Sequence, residues 1–138
     1  MRHTHALRRG ATVLAATALL GSGAVTAHAD PGLPTVGYGY QNRSTAVRCV
    51  QYYVNQLTDR HILEDGRFGS ETERGIKRIQ ELAPGNWGSH ILKVDGYFGQ
   101  ATGQVVLERI KQNPWLVDDY QRASTCGHFV PSYTVVLD

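Results

Sequence analysis

The sequence predicts an all-α protein, and three observations carry that expectation. Apolar residues recur at helical spacing in three separate segments, no strand run of comparable quality lies between them, and one octapeptide occurs twice, 30 residues apart. In the first segment Ser44 is placed to cap a helix whose apolar set is Val47, Val50, Val54 and Leu57, with Cys49 and Tyr53 adjoining. In the second, Thr72, Ile76, Ile79 and Ala83 form one stripe, with Glu71, Arg74, Lys77, Arg78 and Glu81 on the other faces. Pro84-Gly85 is the expected stop. In the third, Thr102, Val106 and Ile110 align, Val105 and Leu107 widen the stripe, and Asn113-Pro114 ends it. Each stripe needs a neighbour to bury it.

The repeat is Asp65-Gly66-Arg67-Phe68-Gly69-Ser70-Glu71-Thr72 against Asp95-Gly96-Tyr97-Phe98-Gly99-Gln100-Ala101-Thr102. Its chemistry reads as a turn. Aspartate bonds the backbone ahead of it, and the glycine supplies left-handed backbone. The phenylalanine between two glycines plugs inward, and Gly69 or Gly99 is an acceptable N-cap; Ser70 with Glu73 offers a capping box as the alternative for the first copy.

The first 29 residues read differently from the rest. Arg2, Arg8 and Arg9 precede the apolar run from Ala11 to Val25, and Ala27-His28-Ala29 forms a small-x-small cleavage site. The run is interrupted by Gly21, Ser22 and Gly23 and falls short of the roughly 20 residues a bilayer span requires. A cleaved secretory signal at 1–29 is therefore expected in preference to a retained anchor, and twin-arginine export is disfavoured by the context of Arg8-Arg9. Of the 14 Lys+Arg and 12 Asp+Glu, three arginines fall in that segment, so residues 30–138 carry 11 basic and 12 acidic groups and a net charge of −1. A chain so close to neutral has no bulk field to draw a polyanion, which sets nucleic acid aside as a partner. Residues 30–41, rich in Pro and Gly, read as an extended linker exposing Tyr38 and Tyr40, residues 42–112 as the helical domain, and 113–138 as a C-terminal extension.

Export places the two cysteines, Cys49 and Cys126, in oxidising conditions, where a disulfide tethering the tail to the first helix is expected. A nucleophile–base pair of Cys126 and His128 is the sharper alternative, but no third orienting group accompanies it. Trp115 is expected to pack on the helices, and Ser132 to Leu137 could be an extended strand. Asp65 and Asp95 could be an acid–base pair, although the same turn logic in each repeat explains both. Arg67 and Phe68 supply no calcium ligands, and His61, His90 and His128 lack the spacing of a zinc site. No metal, cofactor or catalytic set is expected.

The motifs resemble a known family, the peptidoglycan-binding domain found beside many cell-wall hydrolases. The match runs through Val47-Arg48-Cys49-Val50-Gln51, Asp65 to Thr72, Gly75-Ile76, Ile79-Gln80 and Asp95 to Thr102, and covers residues 43–111. It departs from that pattern in the longer segment from Glu81 to Val94 and in the tail beyond Lys111. The resemblance implies a compact three-helix bundle, non-catalytic, docking on cell-wall glycan or its stem peptides. Aromatic and polar loop residues suit that task, because sugar rings stack on aromatic faces while polar groups fix their orientation. The candidates are Trp87 and Asn86, with a lid over the helix ends as the other reading of Trp87, then Arg67 and Tyr97 at the variable position of the two loops, and Tyr52 if it faces outward rather than into the core. Gln80 is read as structural, bonding loop backbone at the helix end. The expected function is a secreted peptidoglycan-binding module; the alternatives are a partner or inhibitor of a cell-wall hydrolase, or a minimal hydrolase built on Asp65, Asp95 or Glu71.

Overall fold

The computed structural model describes residues 32–86, 92–133 and 137, without the side chains of 84–86. These residues are all-helical, with four α-helices and no strand: α1 (Ser44–Leu57), α2 (Ser70–Asn86), α3 (Gln100–Gln112), a 3-10 turn (Pro114–Leu116) and α4 (Tyr120–Gly127). The expected signal segment 1–29, Trp87 and residues 134–136 of the proposed Ser132–Leu137 strand lie outside them, and Ser132, Tyr133 and Leu137 are not in a strand.

α1 is the central element. It buries Val47, Val50 and Val54 on one stripe and Cys49, Tyr52 and Tyr53 on another, and it packs against both α2 and α4. Such a wide apolar face marks a helix covered on two sides. α2 contributes Ile76 and Ile79, α3 contributes Val106, Leu107 and Ile110, and Phe98 stacks on Tyr53 with ring centroids 6.4 Å apart. Cys49 and Cys126 form a disulfide that fastens α4 to α1, with Cα atoms 5.2 Å apart.

Several local expectations are corrected. Arg43, not Ser44, is the N-cap of α1, and no side chain caps it; Ser44 is the first helical residue, and its Oγ and carbonyl lie against Gly66. α2 begins on the bond from the Glu73 amide to the Gly69 carbonyl and continues through Pro84 to Asn86. Proline's fixed φ is itself helical, so Pro84 removes one backbone bond from the last turn without dictating where that turn ends. Part of the expected linker is folded: Val36 is buried and pairs antiparallel with Phe98 through two backbone bonds of 3.1 and 2.9 Å. Behind it Gly37 to Tyr40 form a tight turn closed by the Tyr40 amide on the Gly37 carbonyl, and the Asn42 side-chain amide clamps both polar groups of Gly37 at 2.9 Å. Trp115 does not pack on the helices; it is 76% exposed on the 3-10 turn.

The C-terminal extension is held by α4, a helix capped by the Asp119 carboxylate, which accepts from the Arg122 amide. Its buried face is only Ala123, Cys126 and Gly127, so polar bonds do much of the docking. The Tyr53 hydroxyl donates to the Ala123 carbonyl at 2.7 Å, the Tyr52 hydroxyl reaches Asp118 Oδ1 and the Asp119 carbonyl, and the Asp118 amide donates to Gln56 Oε1. Arg122 lies 4.1 Å over the Tyr52 ring and pairs with Glu64.

Candidate functional site

The two Asp-Gly loops are each organised by one buried glutamine from the preceding helix. α1 presents Gln51, whose Nε2 donates to Asp65 Oδ1 (3.0 Å), the Arg67 carbonyl (3.1 Å) and Thr72 Oγ1 (3.1 Å), while its Oε1 accepts from the Gly66 amide (2.9 Å). α2 presents Gln80 in the same way, to Asp95 Oδ1, the Tyr97 carbonyl and Thr102 Oγ1, and its Oε1 accepts from the Asp95 and Gly96 amides. Two amide protons are shared over three acceptors in each case. Gly66 and Gly96 have φ of 73° and 79°, left-handed backbone in which a side chain is strained. Asp65 and Asp95 each accept from the amide two residues ahead, at 2.9 and 3.0 Å. The Arg67 amide, and then the Gln51 side chain, hold the Asp65 carboxyl below the usual carboxylate range.

Each loop borders a concavity, and the two share the glutamine, the aspartate, the variable residue and the threonine of their repeats. A cleft of ≈ 570 Å³ lies at the second loop and includes Gln80, Leu92, Asp95, Tyr97 and Thr102. A smaller one of ≈ 290 Å³ lies at the first and includes Gln51, Leu63, Asp65, Arg67 and Thr72. The larger cleft is edged by three exposed tyrosines, Tyr40, Tyr97 and Tyr133, with Lys93 and Gln100 among its polar lining. Tyr97 stands edge-on to Tyr40 at 5.8 Å and lies so close over Gly37 that a β-carbon there would sit 2.2 Å from its ring. Gly37 is therefore required for the close approach that sets the ring's position.

The structure separates the sequence candidates. Arg67 is exposed, and Tyr97 is 39% exposed at the cleft rim. Trp87 and the side chain of Asn86 lie outside the described residues. Tyr52 is corrected: it is fully buried beneath Arg122 and α4, and both it and Tyr53 face inward. Burial first, and then Asp118, push the Tyr52 phenol well above its ordinary value, and burial does the same to Tyr53. Neither is available to a ligand. Sequence reasoning missed the roles of Tyr40, Lys93 and Tyr133. A Tyr in a Gly-rich stretch was a signal for Tyr40, whereas Tyr133 joins the cleft through the path of the tail, which no local pattern announces.

Chemically, the two repeat carboxylates are committed to their turns, and among the described residues no three His, Cys, Asp or Glu side chains gather where they could hold a metal ion. No helix among the described residues is long and apolar enough to cross a membrane. The larger cleft offers ring faces and hydrogen-bonding groups on a rigid support, which suits binding of a polar ligand with apolar faces. No family model, curated protein or solved structure matches this chain.

Proposed function

We propose that the chain is an exported, non-catalytic module that binds bacterial cell-wall peptidoglycan, with α1 to α3 and the two glutamine-held loops as the three-helix bundle that the family resemblance implies. The observation that carries the reading is the open cleft edged by Tyr40, Tyr97 and Tyr133 with polar side chains between them. Pyranose faces stack on such rings, and the amide, ammonium and hydroxyl groups can meet N-acetyl and hydroxyl substituents. The disulfide agrees with an oxidising, extracytoplasmic destination.

The test is co-sedimentation of the oxidised chain with purified sacculi, with cellulose and chitin as controls and turbidity followed throughout. Saturable pelleting with sacculi alone at constant turbidity is expected. Tyr97→Ala is expected to bind roughly tenfold more weakly, the order of one aromatic contact. A small fall in melting temperature is expected, because the ring is 39% exposed but packs over Gly37 and against Tyr40. Clearing of the suspension would overturn the non-catalytic reading. A second reading, a protein partner such as a cell-wall hydrolase, is favoured by one observation, the exposed Trp115, since exposed aromatic anchors mark protein interfaces. Binding to such an enzyme that is lost in Trp115→Ala but kept in Tyr97→Ala would establish it.

A further inference from the structure

The duplication did more than repeat a turn: it produced two concavities of the same construction with different contacts at their rims. In the second loop the variable position holds Tyr97, and in the first it holds Arg67. Both loops touch one short segment, the turn from Gly37 to Tyr40. Tyr38 packs edge-on against Phe68 of the first loop with centroids 5.0 Å apart, and Tyr40 packs against Tyr97 of the second. The turn thus touches a ring of each loop and borders the second cleft through Tyr40.

The charges of the first cleft are distributed unequally. Its Asp65 carboxylate is taken up by the Arg67 amide and Gln51, and its Glu71 is paired with Arg74. The Arg67 guanidinium is exposed and within electrostatic reach of Asp65, whose carboxylate the loop already holds, but it forms no ion pair with a carboxylate among the described residues. Beside it Leu63 is 78% exposed, an apolar surface for an aliphatic group. A planar fork of donors next to a small apolar patch fits a carboxylate borne on a short aliphatic residue, which a neutral sugar polymer lacks.

We infer that the Arg67 cleft is a second subsite, one that takes a carboxylate of the same polymer whose sugar faces rest on the tyrosines across the 37–40 turn. The assignment rests on the wall-binding reading above and sharpens it: the preferred ligand is a glycan carrying acidic substituents, and a neutral glycan fills only half of the surface. The carboxylate can come from a stem peptide or from an acid group on the sugar itself.

The experiment measures binding of the oxidised chain and of Arg67→Gln to native sacculi and to sacculi whose carboxyl groups have been converted to carboxamides. On native sacculi Arg67→Gln is expected to bind about fivefold more weakly, the order of one solvent-exposed ion pair. On amidated sacculi the two should bind alike. Tyr97→Ala should be weaker on both surfaces, and Arg48→Gln, which removes the same charge from the exposed side of α1, should match the unmodified chain. Competition on native sacculi identifies the source: a free stem peptide that erases the Arg67→Gln deficit assigns the peptide carboxylate, and a uronic acid that erases it assigns the sugar-borne acid. An equal deficit on native and amidated surfaces, no deficit on either, or the same deficit in Arg48→Gln overturns the subsite while leaving the tyrosine cleft standing. Failure of the unmodified chain to pellet with native sacculi overturns both readings.

Discussion

At the scale of single residues, the two glutamines decide whether the candidate site exists. Gln51 and Gln80 are each almost wholly buried, yet both polar atoms of each side chain are bonded to its loop. Buried polar groups are stabilising only while fully satisfied, so these positions are sensitive to chemistry more than to size. Gln80→Glu keeps the shape, removes two donors and sets a carboxylate against Asp95 and the Tyr97 carbonyl. A loss of about 2–4 kcal/mol in urea denaturation at neutral pH is expected. The substituted carboxyl titrates above its ordinary range in the folded state, so the deficit should shrink as pH falls toward about 4.3. A deficit that does not change with pH would mean that packing, not the lost donors, is at fault.

At the scale of elements, the positions of α1, α2 and α3 could be read from sequence because each carries an apolar stripe long enough to show its period. The loop residues were legible too, since Asp, Gly and Thr there answer to the local backbone. α4 was not read: it spans eight residues and buries only Ala123, Cys126 and Gly127, so no stripe announces it. Its cap, Asp119, was present in the sequence, but the apolar residues around Trp115 and beyond Phe129 suggested packing and extension instead. The tyrosine-edged cleft was hidden for a related reason, as Tyr40, Tyr97 and Tyr133 come from three distant segments. With so little apolar area of its own, α4 depends on its covalent tie. The bridge closes a long loop, 77 residues in sequence separation. Replacing both cysteines by serine is expected to cost about 2–5 kcal/mol in denaturant unfolding. Hydrogen exchange should rise first in residues 117–127, and the two loops should stay protected if they belong to the α1–α3 unit alone. Simultaneous loss of protection in α4 and at the Gln80 loop would show instead that the extension folds as one with the rest.

At the scale of the whole molecule, the interface between α1 and the C-terminal extension is built around two phenols, and that makes stability a function of alkalinity. Tyr52 and Tyr53 are both fully buried, bonded to the Asp118–Ala123 stretch, and held well above the ordinary tyrosine value, chiefly by burial. The unfolded chain releases these protons near pH 10, whereas the folded chain keeps them. Their contribution is therefore fully present below about pH 10 and is lost as pH rises above it, toward the raised folded values. The slope approaches about 1.4 kcal/mol per pH unit for Tyr53, and Tyr52 adds in the same direction. The acid side behaves oppositely, since Asp65 is held low by its loop bonds and contributes stability that disappears as pH falls below the carboxylate range. Urea melts from pH 7 to pH 11 should show the alkaline decline, and phenolate absorbance should show a late fraction that appears together with loss of the helical signal. Tyr53→Phe lowers stability at neutral pH by about 1 kcal/mol, because the buried hydrogen bond to the Ala123 carbonyl is lost, yet it should flatten the alkaline decline. If Tyr53→Phe and the double variant with Tyr52→Phe decline as steeply as the unmodified chain, the buried phenols do not control alkaline unfolding, and the contact between α1 and the extension is looser than its hydrogen bonds imply.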